Sequence, residues 1–334
     1  MRKRGTVKPI DRRSLIAAAG ALAGAGLIGA SPARAQAYPQ RPVKLIVPYP
    51  AGGGTDVLAR LLAQKIEGEF GQPIVIDNRA GGASLIGTRA VSDSPADGYT
   101  IGVVDSAFVT NPSLFKDNIP YDTRKDFTPV SLLTRTQLVL SVLSSSKFNT
   151  AQELVAYGKA NPGKLTFASA GNGSPPHLAG EQFRQATGID MVTVPYRGGA
   201  PAMTGFLGGD VDFTFAVVAT IATQIASGNV RGLAVTRGRA PQLPDIPGME
   251  ELGYPSVTST SDMGMVVKTG TPAAAVEKLE GLCLKALKDE QFRALLIQRG
   301  FQPLGLTGAD YGIYIDREID AWAKVIEAGN IKPE

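Results

Sequence analysis

Residues 43–60, VKLIVPYPAGGGTDVLAR, constrain this chain more than any other stretch. Val43, Leu45, Ile46 and Val47 are apolar and mostly branched, the pattern of a strand covered on both faces. Pro48, Pro50, Gly52, Gly53 and Gly54 cannot continue it. From Thr55 or Asp56 onward, Leu58, Leu61, Leu62, Ile66 and Phe70 recur at helical spacing. A glycine loop between a strand end and a helix start exposes several N–H groups beside the positive end of a helix dipole. That arrangement suits a small anion. A tight turn with no ligand fits the same residues, so the loop alone leaves both readings open.

The first thirty-five residues read as an export signal. Arg2, Lys3, Arg4, Lys8, Arg12 and Arg13 form a basic start, 15–30 is an apolar Ala/Gly-rich run, and Ala33-Arg34-Ala35 is a small-x-small cleavage pattern. Arg12-Arg13 before Ser14-Leu15-Ile16 fits a twin-arginine signal, and an ordinary secretory signal fits equally. The run is shorter than the roughly 20 residues of a spanning helix. The expected location is therefore the periplasm, with cleavage near Ala35.

This segment also carries the basic charge. It holds seven Lys/Arg against one Asp, a net of +6, whereas the whole chain is +4, leaving −2 from residue 36 onward. A mature chain of that charge gives no case for nucleic-acid binding. The single cysteine, Cys283, excludes an intramolecular disulfide and falls on an apolar helical stripe, as a buried inert thiol would. His177 is the sole histidine, and no Cys/Asp/Glu spacing makes up a metal site. No metal or cofactor is expected.

Beyond the signal, short apolar strands alternate with helices. Strands are predicted at 43–47, 74–76 and 99–104, then at 127–133 and 138–143. Thr150-Ala151-Gln152-Glu153 is a capping box opening a helix to about Ala160. Further strands at 165–168, 191–194, 211–215 and 233–236 alternate with helices at 176–186, 200–207 and 219–227. A strand at 263–267 precedes Thr271-Pro272, an N-cap with proline at the first helical position, and then three helices with little sheet. So many residues exceed a single core, and this order implies parallel sheets with right-handed crossovers. The C-terminal helices cannot form an α/β lobe alone and are expected to pack on the first. The chain then crosses twice between two α/β lobes, which gives a two-strand hinge. Lobe 1 is expected to be 36–137 plus 262–334, and lobe 2 138–261.

The opening feature has an echo. Val47-Pro48-Tyr49-Pro50-Ala51-Gly52-Gly53 is matched by Val194-Pro195-Tyr196-Arg197-Gly198-Gly199, each after a strand and before a helix. A further glycine loop, Ser169-Ala170-Gly171-Asn172-Gly173-Ser174, leads to a helix bearing His177. Ligands of open α/β sheets bind beyond the carboxyl ends of strands, so these loops are expected to face each other across a cleft. The candidate ligand-binding residues are Tyr49, Ala51, Gly53, Thr55 and Asp56, with Ser84 and Ser106 at the other first-lobe junctions. The second lobe offers Ser169, Asn172, Gly173, Ser174, His177, Tyr196, Arg197, Gly198 and Gly199. Arg197 suits a bidentate carboxylate contact, or is a solvated surface charge. Asp56 is most simply a helix cap. Ser174 and His177 at i, i+3 could be read as a hydrolase pair, but no G-x-S-x-G elbow or third member accompanies them. Beyond the signal segment neither Walker A nor G-x-G-x-x-G is present.

These residues resemble the Bug (TctC-like) family of extracytoplasmic solute receptors. The resemblance runs through Tyr38-Pro39-Gln40-Arg41-Pro42, the 46–53 loop with Asp56 and Arg60, Asn78-Arg79, and Asp97-Gly98-Tyr99-Thr100. It continues through Gly173-Ser174 with His177, the 194–198 loop, Gly209-Asp210-Val211-Asp212 and Arg231-Gly232-Leu233-Ala234-Val235-Thr236. It implies a type II periplasmic binding-protein-like α/β fold, with a ligand cleft between two lobes. It also implies a small carboxylate ligand, delivery to permease subunits of a tripartite tricarboxylate transporter, and no enzymatic activity. A role as a sensor for a signalling system is the alternative. A monomer that binds no nucleic acid is expected. The chain departs from the family before Gly264, where many members carry an aromatic and this one reads Ser259-Thr260-Ser261-Asp262-Met263.

Overall fold

The computed structural model describes residues 38–329, 331 and 332. The predicted export signal lies outside them. The chain divides into two units, Met1–Gln40 and Arg41–Glu334, and the architecture is that of the second. Among the described residues no helix is long and apolar enough to cross a membrane.

Two sets of parallel strands flank a pair of long antiparallel ones. β1 (Val43–Val47) pairs in parallel with β2 (Ile74–Asn78) and β3 (Thr100–Val104). β4 (Phe127–Leu143) follows, and β5 (Leu165–Ser169) pairs in parallel with β6 (Met191–Pro195) and β7 (Phe213–Val217). β8 (Val230–Val235), β9 (Thr260–Lys268) and β10 (Gln302–Thr307) complete a ten-stranded sheet, along whose main path the order is β2-β1-β3-β9-β4-β7-β5-β6. Helices α1 (Gly54–Phe70), α2 (Leu85–Ser92) and α3 (Ala107–Leu114) follow β1, β2 and β3. α4 (Ala151–Ala160), α5 (Pro175–Thr187), α6 (Gly199–Gly208) and α7 (Val218–Ala226) alternate with the middle strands. α8 (Ala273–Lys288), α9 (Glu290–Gln298) and α10 (Gly308–Ala328) close the chain.

β4 is the axis of this arrangement. Its residues 127–137 pair with β9, and those from 131 to 135 also take β10 on the opposite edge. From Leu138 on, the same strand pairs instead with β7 and β8. The partners change between Gln137 and Leu138, without a break in the strand. The sequence suggested two strands here, because Thr134, Arg135, Thr136 and Gln137 interrupt the apolar run. All four carry hydrogen bonds or cross-strand pairs in the ladder instead.

Each side has its own apolar core. Phe108, Phe127, Leu132, Val266 and Ile315 pack on one side, and Phe167, Phe183, Phe213 and Phe215 on the other. Three local expectations are corrected. Thr271 does not cap α8; its hydroxyl donates to Lys268 O, and Pro272 occupies the cap position. α3 was not predicted, because Pro112 falls inside it. β10 was not predicted either, since Pro303 and Gly305 break the apolar alternation, yet it joins the edge of β4.

Where β4 and β9 run side by side, Arg135 and Asp262 lie directly opposite each other. Arg135 Nε reaches Asp262 Oδ1 at 2.7 Å, and the second guanidinium nitrogen reaches Oδ2. Tyr314 on α10 donates to Oδ2, and Thr260 donates to Oδ1 at 3.0 Å. The hydrogen bond to Asp262 raises the guanidinium pKa of Arg135 further. Removing one partner of a buried pair strands the other charge, at a cost of about 3–5 kcal/mol. Arg135→Met is therefore expected to lower the urea midpoint by that order with the m-value unchanged. A loss below about 1 kcal/mol would show that Tyr314 and Thr260 suffice for Asp262.

Candidate functional site

The echoed loops meet. Pro50 and Gly52, between β1 and α1, face Gly198, between β6 and α6, and Ala200 in the first turn of α6. A Cβ on Gly198 would lie 2.5 Å from Pro50 Cδ, and one on Gly52 would lie 3.9 Å from Ala200 Cβ. Gly198 also holds φ at +123°, a conformation that L side chains rarely adopt. Contact on this scale needs a residue without a side chain.

Behind this contact lies a cavity with about 60 Å³ of free space, room for a small solute. Its walls come from the carboxyl ends of β5 and β7, the starts of α1, α5 and α6, and one face of β9. Five of the expected residues line it: Tyr49, Gly53, Thr55, Ser174 and Gly199. The first N–H groups of a helix have no intrahelical acceptor, so those of α1 at Gly54 and Thr55 are available to a ligand. α5 differs, because Pro175 and Pro176 bring no N–H to its first turn, and the N–H of His177 is spent on Ser174 Oγ at 3.5 Å.

The remaining expected residues do not line the cavity. Asp56 acts within its own loop. Its carboxylate accepts from Gly52 N, Arg60 Nε and Asn78 Nδ2, each at 2.9 Å. Burial works to raise its pKa, but the bonds from Arg60, Gly52 and Asn78 outweigh burial and lower it. The helix cap is Gly53, with Asp56 three residues further on, reaching back. Ser106 links β9 to α3, donating to Thr260 O at 2.9 Å and accepting from Asp262 N at 3.0 Å. Ser84 is buried at the cap of α2, where Asn111 Nδ2 reaches its hydroxyl at 3.4 Å. Ser169 accepts from Gly171 N at 3.4 Å, and Gly173 O accepts from Thr110 of α3 at 3.0 Å. Asn172 is buried, and Ala51 is exposed. Tyr196 packs on α6, with its hydroxyl 2.2 Å from where a Cβ on Gly205 would stand, and Gly198 supplies the loop contact. Arg197 is exposed and outside the cavity wall.

The geometry does not make a nucleophile of Ser174. Its Oγ donates to Gly171 O at 2.5 Å, while His177 Nδ1 accepts from Gly173 N at 3.1 Å. Burial lowers the pKa of His177. The pair caps α5 and braces the loop. Cys283 is buried against Met265, and burial pushes its thiol up to about 12. Among the described residues no group of three or more His, Cys, Asp or Glu could hold a metal.

Sequence reading missed the acid in the wall. Asp105 follows β3 and is 6% exposed. Its Oδ1 accepts from Tyr49 Oη and from Ala107 N, both at 3.0 Å. Burial pushes its carboxyl up to about 6, against the opposing pull of those two bonds. Burial, and then the charge of Asp105, raise Tyr49 well above the ordinary phenol value. The signal was present, since Asp105 stands at a strand's carboxyl end, where only its neighbour Ser106 was chosen. Ser261 and Met263 also line the cavity, and alternation along β9 turns Asp262 to the other face. Within the 259–263 run, Asp262 thus supplies Arg135 with its partner.

A family model described as "Tripartite tricarboxylate transporter family receptor" matches residues 58–331. Protein BugT of Bordetella pertussis is 35% identical over 305 residues, covering 91% of this chain and 94% of that protein. The solved periplasmic binding protein BugD is 33% identical with a TM-score of 0.85, covering 89% of this chain and 100% of BugD. R. palustris Rpa4515, solved with adipate, is 32% identical with a TM-score of 0.86, covering 89% and 100%. MatC of Rhodopseudomonas palustris, solved with bound malate, is 27% identical with a TM-score of 0.81, covering 86% and 100%.

Asp105 gives the site a pH signature. Between its ordinary value of 3.8 and its folded value of about 6, the folded chain keeps a proton that the unfolded chain has lost. Its contribution is full below the lower value and is lost as pH rises through the higher one. Asp105→Asn has no such loss. Denaturation with urea is expected to show the variant gaining on the parent by about 2–3 kcal/mol between about pH 4 and about pH 7. A constant difference across that range would mean that Asp105 titrates normally.

Proposed function

The chain belongs to the tripartite tricarboxylate transporter receptor family, and on that premise we propose that it is a periplasmic receptor for a small organic carboxylate. The observation that carries the proposal is the meeting of the two echoed loops over a cavity at the start of α1. Unpaired N–H groups and the helix dipole favour an anion there. Gly53, Gly54 and Thr55 are proposed as the carboxylate's donors. Tyr49, Ser174 and Gly199 are proposed to shape the wall. The adipate and malate held by two similar proteins are acids of the proposed kind.

The proposed lobes are 36–137 with 262–334, and 138–261. The change of β4 partners between Gln137 and Leu138 supports that division. Closure would bring Pro50 against Gly198, with β4 and β9 as the hinge. The captured solute would pass to membrane permease subunits, the chain itself acting as a monomer exported to the periplasm.

Mass spectrometry of small molecules released from natively purified protein, followed by a thermal-shift screen of carboxylic acids, tests the proposal. A ligand at about 100 times its Kd adds about 2.7 kcal/mol of stability. If no carboxylic acid raises Tm, the proposal fails. Gly198→Ala places a methyl group against Pro50 and strains the backbone, each by an order of about 1–3 kcal/mol. It is expected to weaken binding about tenfold or more by calorimetry. Unchanged affinity would show that the loops need not touch when the ligand is held.

A further inference from the structure

The donors at α1 account for one end of a ligand. The other end meets Asp105. Among the described residues, Asp105 is the one carboxylate that lines the cavity, and no Lys, Arg or His lines it. Tyr49 and Ala107 both donate to Oδ1, and the backbone N–H of Asp105 itself also reaches the carboxylate, but none of these donors is a cation. A buried carboxylate without a cation is costly, and a second carboxylate brought beside it adds repulsion. An ammonium group in the ligand supplies the missing positive charge in a hydrogen-bonding group. The surrounding wall is apolar at Ala168, Ala202, Met203, Val217 and Met263, which suits a hydrocarbon side chain.

We propose that Asp105 is a specificity-determining residue that receives the ammonium group of an amino acid with an apolar side chain, whose carboxylate lies on the first turn of α1. This rests on the carboxylate-receptor reading above and narrows it. It gives the cavity two unlike ends, and a dicarboxylate satisfies only one of them while Asp105 is ionised. The titratable groups facing Asp105 leave its charge uncompensated. Tyr49, Tyr121 and Tyr311 are phenols raised by burial, and Asp262 on β9 is already paired with Arg135.

Calorimetry at about pH 7.5 would compare L-alanine, L-valine and L-leucine with propionate, isovalerate and isocaproate, which lack the ammonium group, and with malate and adipate. An amino acid is expected to bind at least about tenfold more tightly than its deaminated partner, a difference of about 1.4 kcal/mol. Asp105→Asn keeps the Oδ1 acceptor for Tyr49 and Ala107, and is expected to abolish that preference while strengthening malate or adipate. In the parent protein at about pH 5, where Asp105 holds its proton, the preference is expected to shrink with no substitution at all. Equal binding of an amino acid and its deaminated partner overturns the assignment. So does tight binding of malate or adipate that Asp105→Asn leaves unchanged, an outcome that keeps the receptor reading intact. If no acid of any series binds, both readings fall.

Discussion

The carboxylate of Asp56 holds the loop on which the site depends. It joins three separate pieces of chain: the loop at Gly52, the next turn of α1 at Arg60, and β2 at Asn78. Asn78 in turn donates to Tyr49 O at 2.9 Å, so the same network sets the backbone that carries the tyrosine. A glycine-rich loop is free to take many shapes in isolation, and ordering it costs entropy. Here a buried charge near a helix N-terminus, met by three donors, selects one shape before any ligand arrives. Asp56 claims the donor at Gly52, while Gly54 and Thr55, whose N–H groups have no intrahelical acceptor, line the cavity.

Much of the framework was legible in the sequence because it rests on local rules. The strand-loop-helix at 43–60 and the cap at Thr150 follow from residue types that leave the backbone few options. The echo at 194–199 placed two loops at equivalent strand ends, and the structure brings them into contact. What stayed hidden depends on partners distant in sequence. Arg135 and Gln137 interrupt an apolar run, and only the neighbouring β9 and residues 236–238 reveal why a strand continues through them. Pro112 looks like a stop, but α3 runs through it, and Phe108 O, the carbonyl that residue 112 cannot serve, accepts from Thr123 Oγ1 at 3.5 Å.

The site divides along the same line. Tyr49, Gly53, Thr55, Ser174 and Gly199 sit at strand-to-helix junctions whose sequence advertises them. Ser84, Ser106 and Ser169 look equally suitable by residue type, but each has found a partner inside the protein, the Asn111 side chain for Ser84 and backbone groups for Ser106 and Ser169. Asp105 was passed over because an acid is an unexpected neighbour for an anion. Its role is visible only once Tyr49, fifty-six positions earlier, is seen to donate to it. At 261–263 the decisive fact is alternation: Ser261 and Met263 face the cavity and Asp262 faces away, a parity that the list of residue types does not convey.

The unbroken course of β4 also orders the assembly of the chain. All the strands that pair with its later part, β7 and β8, follow within one contiguous stretch ending at Val235. Its earlier part waits for β9 and β10, which arrive only after Thr260. As the polypeptide emerges, the middle of the chain can therefore condense first and hold β4 extended. The N-terminal strands, β1 to β3, are then left with one edge of β3 open until β9 arrives. During that interval the polypeptide depends on delayed closure of its earliest sheet, and protection of that edge becomes a kinetic requirement of biogenesis.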